Sequence, residues 1–112
     1  MARLLDTETG QVIFGRVTIA ETFWRRTVGL LGSSSLAEDE AMLIRPCSSI
    51  HTCCMRIDLN VAFCDADGRV LKAVTRVRPW RFRIGPRGSR FAVEWSTTAG
   101  PILRVGQRVR IV

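Results

Sequence analysis

Side chains able to bind metals or act as nucleophiles are concentrated in one stretch, residues 41–64 (AMLIRPCSSIHTCCMRIDLNVAFC). It holds all four cysteines and the single histidine of the 112-residue chain. Thiolate and imidazole groups are ligands for zinc and copper, and a thiolate beside an imidazole can act as a nucleophile. Chemistry that depends on cysteine or histidine must therefore begin in this stretch.

A metal site here would draw on Cys47, His51, Cys53 and Cys54. Their spacing, Cys-x-x-x-His-x-Cys-Cys, is not a common structural zinc pattern. On an extended chain, His51, Cys53 and Met55 share one face while Cys54 points to the other. The candidate metal ligands are therefore His51 and Cys53, with Cys47 and Met55 as further donors. The alternative is that the thiols are reduced and pack as small apolar side chains, and we expect no cofactor.

A nucleophilic cysteine would need His51 within hydrogen-bonding distance. Cys53 lies two residues from His51, about 6 to 7 Å along a strand, which is too far for a direct bond. Cys47 or Cys64, arriving from another strand, would be better placed. Since none of the cysteines lies in a recognisable catalytic signature, the sequence assigns no catalytic residue and favours a protein that is not an enzyme.

Further along, a basic segment interleaves arginines with Trp80, Phe82 and Phe91 and contains no acid. Its arginines, here called the arginine arc, are Arg76, Arg78, Arg81, Arg83, Arg87 and Arg90. Guanidinium groups beside aromatic rings can grip phosphates and stack on bases, which predicts an exposed edge for an anionic partner: a protein, a nucleic acid or a membrane surface. In the alternative interpretation the arginines are only the solvent face of an edge strand, whose other side carries Trp80, Phe82 and Ile84 into the core.

Composition limits the class of protein. The chain has 46% hydrophobic and 24% charged residues and a formal charge of +7, the mix of an ordinary globular domain with a basic surface. Its length predicts a single domain over residues 1–112. No apolar run is long enough to span a bilayer, and the first residues lack the apolar core of a secretory signal. We therefore expect a cytoplasmic protein.

The elements that must position these residues are mostly short strands. Apolar runs predict strands at 2–6, 11–14, 17–20, 42–45, 49–55, 60–64, 70–77, 90–95 and 107–112. One helix is predicted over residues 22–31, with Thr22 as its cap and Gly32 after its end. Residues 65–68 give the strongest hairpin signal, a turn and not a calcium loop because residue 76, the twelfth position, is Arg. The pattern predicts a β-dominated α+β domain, a curled sheet or partial barrel of short strands with one helix.

Several modest motifs occur in an order that resembles the family called domain of unknown function 192. They are RTVGLLG (26–32), MLI (42–44), IHTxxMR (50–56), VAFxDxDGRV (61–70), VE (93–94) and GQRV (106–109). The resemblance covers about residues 10–112 and implies a small bacterial and archaeal β-rich domain without a settled activity. The chain departs from the family where an Asp is expected, since Asn60 occupies that position and Asp58 lies two residues earlier. On a strand these two residues share a face, so a carboxylate could still reach the same space.

Two functions follow from these observations. The first is a binding or interaction module that uses the arginine arc for an anionic partner. The second is a pocket around His51, Thr52, Asn60 and Glu94 that takes a small ligand or a metal, with weak hydrolytic chemistry. Glu94 belongs to this pocket through the family's VE position; by itself, a lone acid among many bases more often pairs with an arginine.

Overall fold

In the computed structural model of the protein, the described residues are 2–21, 36–51, 57–100 and 102–112, with the backbone alone described for His51. Within them the chain forms nine strands and one 3₁₀ turn, Thr97–Ala99. The strands are β1 (Ala2–Asp6), β2 (Val12–Ala20), β3 (Glu40–Ile44), β4 (Ser49–His51), β5 (Leu59–Cys64), β6 (Val70–Val77), β7 (Phe82–Ile84), β8 (Phe91–Ser96) and β9 (Val109–Ile111).

Seven of these strands form one sheet in the order β6-β5-β8-β3-β2-β1-β9, and β4 pairs with β7 in a separate two-stranded sheet. Strands β2 and β3 are parallel, while the other pairs recorded among the described residues are antiparallel. A parallel pair needs a long crossover. Here the connection runs from residue 21 to residue 39, and its residues 22–35 lie outside the described part of the chain.

The predicted α+β class with one helix is wrong, because the described residues are nearly all β. The residues assigned to that helix, 22–31, lie outside the described ranges. Most strand positions are confirmed, β6 to the residue, whereas the segments predicted at 11–14 and 17–20 are one continuous strand, β2.

The sheet is curled without closing into a barrel. The two edge strands are β6 and β9. The residues that immediately precede them, Arg69 and Arg108, form an isolated antiparallel bridge. The Val109 amide donates to the Gly68 carbonyl at 2.9 Å, and the Val70 amide donates to the Gln107 carbonyl at 2.8 Å. Gly68 has φ 86°, and a side chain there would collide with the Val109 carbonyl oxygen. Only glycine fits this crossing of two backbones.

The central strands are buried on both faces, which explains why most of their residues are apolar. One face carries a cluster centred on Phe14 and Trp95, whose ring centroids are 5.8 Å apart. The opposite face carries Met42, Val61 and Phe63, and Ile50 of β4 joins this second cluster. The β4–β7 sheet therefore packs on the second face and carries the middle of the arginine arc beside it.

Candidate functional site

The arginine arc begins in β6, passes through β7 and ends just before β8. Three large apolar side chains in its middle, here called the apolar triad, are Trp80, Phe82 and Ile84, and they are 63%, 57% and 66% exposed. The interpretation in which these three residues belong to the core is therefore wrong. Single exposed apolar residues are ordinary, but three within five residues form a patch of the kind that contacts partners.

The register of β7 explains this exposure. Phe82 pairs with His51, Arg83 with Ile50, and Ile84 with Ser49, so β7 has β4 as its neighbour in the small sheet. Side chains alternate along a strand, which turns Phe82 and Ile84 to the side opposite Arg83. Arg83 is half-buried, and its Nη1 donates to the Phe82 carbonyl at 2.9 Å. The strand thus presents its apolar residues, and not Arg83, to solvent.

Trp80 has a backbone conformation that bulky residues rarely adopt, with φ 64°. A non-glycine residue held in the left-handed region costs on the order of 1–3 kcal/mol. Burial of a large side chain commonly offsets such a cost, yet the Trp80 side chain is mostly in solvent. The strain and the exposure together mark Trp80 as a residue whose position serves something other than packing.

The stretch of sequence that contains the arginine arc carries only positive charges. Residues 68–93 contain eight Lys or Arg residues and no Asp or Glu. Arg78, Arg81, Arg87 and Arg90 are exposed at the surface. Arg76 is exposed too, and its Nη1 lies 3.6 Å from the Asp58 carboxylate at the far end of the arc.

Asn60 has a structural role that the sequence did not reveal. Its side chain is buried, its Oδ1 accepts from the Arg76 amide at 2.9 Å, and its Nδ2 donates to the Gly100 carbonyl at 3.1 Å. The β5–β6 register shifts at this point and Arg76 takes φ 53°. The Asn60 amide therefore supports a bulge in β6. Asp58 also contacts Arg76, so both residues do reach the same part of the molecule.

Asn60 and Glu94 lie on opposite faces of the sheet. Asn60 pairs with Trp95, and both side chains donate to the Gly100 carbonyl. Glu94 pairs with Val61 and Met42, and it is fully buried on their face. Of the predicted pocket around His51, Thr52, Asn60 and Glu94, two members, Asn60 and Glu94, are therefore separated by the sheet. Thr52 lies outside the described residues, as does the His51 side chain.

A shallow depression of about 260 Å³ does open beside Asn60. It is lined by Asn60, Thr75, Arg76, Thr97 and Gly100. Because both polar ends of the Asn60 amide already bond to the backbone, the side chain stabilises the wall of this depression.

The described cysteines, Cys47 and Cys64, lie in different surroundings. Cys47 is half-buried, and its Sγ donates to the Ser49 carbonyl at 2.8 Å. Cys64 is fully buried in the first cluster, and burial, with a smaller effect from Asp65, raises the pKa of its thiol to about 12. A thiol with this pKa remains protonated at neutral pH and is a poor nucleophile. Cys53 and Cys54 lie outside the described residues.

We expect Cys64 to resist thiol reagents at pH 8 in the folded protein, because it is both inaccessible and protonated. Ellman's reagent would be applied to a variant that retains only this thiol, Cys47→Ser with Cys53→Ser and Cys54→Ser. The unfolded variant should react fully. Rapid labelling of the folded variant would contradict the assignment.

The same pKa predicts how stability depends on pH. Between the ordinary thiol pKa of 9.0 and about 12, the unfolded thiol ionises while the folded one keeps its proton. The unfolded state is then favoured, so the free energy of unfolding should fall as pH rises above about 9. Cys64→Ala should remove this part of the pH dependence.

No group of three or more His, Cys, Asp or Glu side chains is arranged to hold a metal ion within the described ranges, which do not include the His51 side chain or Cys53. Nor does the part of the chain with described coordinates contain a helix of the length and hydropathy needed to cross a bilayer.

The sequence pattern indicated the arginines as a binding surface but did not show whether their apolar neighbours are buried or exposed. Pro79, Gly85 and Pro86 around the triad were the available signal for an exposed segment. The support of the Arg76 bulge by Asn60 left no signal in the sequence, because it depends on the pairing of β5 with β6.

Comparison with known proteins agrees with this fold. Residues 4–111 match the family called domain of unknown function 192, which is described as an uncharacterized ACR. A protein named UPF0127 from Thermococcus sibiricus is 32% identical over 95 residues, which are 81% of this chain. The match spans 61% of that relative, less than two thirds of its length.

Two crystal structures are similar to this chain. A protein of unknown function from Novosphingobium aromaticivorans superposes with a TM-score of 0.78 at 20% identity, covering 97% of this chain and 82% of that one. A proposed transcription regulator from Sinorhizobium meliloti superposes with a TM-score of 0.77 at 18% identity, covering 97% of this chain and 90% of that one. At these identities the similarity shows the fold alone.

Proposed function

Because the chain belongs to the domain of unknown function 192 family, which is described only as uncharacterized, we propose from its own surface that the protein is a non-catalytic binding module. Its binding surface consists of the apolar triad and the arginines beside it, and its partner is anionic. This proposal makes the arginine arc functional and the cysteine and histidine stretch structural.

The exposure of the apolar triad supports the proposal most directly. Trp80, Phe82 and Ile84 are each more than half exposed, although the same strand pattern could have buried them. If the arginines served only solubility, that role would not account for three large exposed apolar side chains among them. Aromatic residues and arginines, in contrast, are the residue types that contribute most to binding surfaces.

Charge supports the anionic character of the partner. The segment from residue 68 to 93 carries eight bases and no acid, so its field attracts anions and repels cations over several residues. Each rim charge contributes little affinity by itself, but together they favour the rate and orientation of association.

The alternative, a small-ligand or metal pocket with weak hydrolytic chemistry, has less support. Asn60 is separated from Glu94 by the sheet and bonds the backbone at both polar ends. Cys64 is buried with a pKa that disfavours a thiolate. The members that could still share a site are His51, Thr52 and Glu94.

Replacement of Arg81 and Arg87 by Glu is the direct test, because both arginines of the arc are exposed. The double variant should bind immobilised heparin, a polyanion, at least about tenfold more weakly than the wild type, since two attractive contacts become repulsive. Salt-gradient elution and equilibrium binding would measure the loss, and thermal unfolding would establish that the variant is folded.

A control variant with the same change in charge distinguishes the effect of losing arginines from the arc from the effect of lowering the total charge. Arg3→Glu with Arg104→Glu also lowers the formal charge from +7 to +3, because each substitution removes two charges, and both residues are exposed outside the arc. It should retain most of the affinity. Equal losses in the two double variants would contradict the proposal.

A further inference from the structure

We propose that the anionic partner is the surface of an anionic phospholipid bilayer, which the apolar triad enters while the neighbouring arginines contact the headgroups. This inference rests on the proposed function and adds the identity of the partner.

The chemistry of the triad favours a bilayer over a nucleic acid. Trp80 and Phe82 could stack on bases, but Ile84 has no ring and is the most exposed of the three at 66%. At a membrane interface all three side chains gain, because Trp favours the headgroup level and Phe and Ile favour the acyl boundary.

The shape of the segment is suited to shallow insertion. Phe82 and Ile84 project from the same side of β7, in a two-stranded sheet separate from the main seven-stranded one. Trp80 precedes them in a turn, where its backbone is left-handed and its side chain is exposed. The apolar groups can therefore enter an interface without disturbing the core clusters.

The positions of the arginines around the triad also favour an anionic bilayer. Arg78, Arg81 and Arg87 are exposed before, between and after the triad. Long arginine side chains can lie along an apolar surface and keep their guanidinium groups at the headgroups. With no acid between residues 68 and 93, a leaflet rich in phosphatidylserine would attract this surface.

Vesicle co-sedimentation tests the inference with the whole chain. The wild type should bind vesicles in which about a third of the lipid is phosphatidylserine at least about tenfold more tightly than pure phosphatidylcholine vesicles. Trp80→Asn with Ile84→Ser should weaken binding to the anionic vesicles at least about tenfold, because two side chains that enter the bilayer are removed. Asn tolerates the left-handed conformation, so the variant should fold, and Trp80→Asn alone provides a second test.

The matched control is Val12→Ser with Val105→Ser, which removes two exposed apolar side chains outside the arc and should retain vesicle binding. Equal binding to neutral and anionic vesicles would overturn the inference, as would unchanged vesicle binding by the triad variant. Binding to heparin or oligo(dT) without binding to vesicles would also overturn it, while leaving the proposed function intact. Failure to bind either the polyanions or the vesicles would refute both.

Discussion

Gly68→Ala is expected to lower the free energy of unfolding by about 3 kcal/mol or more, one of the two largest effects we predict. Gly68 has φ 86°, and an added Cβ would overlap the Val109 carbonyl oxygen. Both obstacles belong to the backbone, so no side-chain rotation relieves them. The overlap would also separate Gly68 from the Val109 amide, which donates to its carbonyl at 2.9 Å where the sheet edges meet.

Denaturant unfolding would measure this loss, and Gly10→Ala is its control. Gly10 also has a positive φ, 74°, but a Cβ there would meet nothing within 4 Å. Its substitution should therefore cost only the conformational part, about 1 kcal/mol. The difference between the two variants isolates the collision at Val109, and equal losses would show that the collision is absent.

Asn60→Ala is expected to be the second large loss, about 2–4 kcal/mol in the free energy of unfolding. It deprives the Arg76 amide of its acceptor and removes the donor to the Gly100 carbonyl. The Gly100 carbonyl still accepts from Trp95 Nε1 at 2.8 Å, so most of the loss should arise at the bulge.

Amide hydrogen exchange would show which part of the sheet loses stability in Asn60→Ala. The Arg76 amide should exchange faster in Asn60→Ala, while the amides of β3, which lies beyond β8 in the sheet, should follow only the change in global stability. Unchanged protection of Arg76, or a loss below about 1 kcal/mol, would show that Asn60 does not support the bulge.

Local sequence patterns predict where most strands lie along the chain, but they do not predict which strands pair or in which register. The turn at 65–68 confines β5 and β6 to one hairpin, and β6 occupies its predicted residues. Two strands were predicted at 11–14 and 17–20, yet Gly15, which lies between them, is inside the nine-residue β2. Glycine weakens a strand without necessarily ending it, and pairing with β1 and β3 carries β2 through this position.

Strand register separates Asn60 from Glu94, which the sequence grouped in one candidate pocket. Shifting a strand by one residue moves every side chain to the other face, and no local pattern fixes how β5 lies against β8. The observed register pairs Asn60 with Trp95, which places Glu94 on the opposite face. Similarly, alternation of Arg with Trp, Phe and Ile could not decide which side of β7 faces solvent, because that depends on how β4 packs against the second cluster.

The pairing of β1 with β9 has a consequence for how the protein folds. Leu4 lies opposite Ile111, and Asp6 Oδ2 accepts from Gln107 Nε2 across 101 residues of chain. During synthesis, β1 and β2 emerge before β9, and β1 cannot gain its second neighbour until residue 111 has left the ribosome. Long-range pairing of this kind slows folding and prolongs the exposure of unpaired strand edges. The nascent β1–β2 hairpin therefore keeps one edge of β1 unpaired until β9 has emerged.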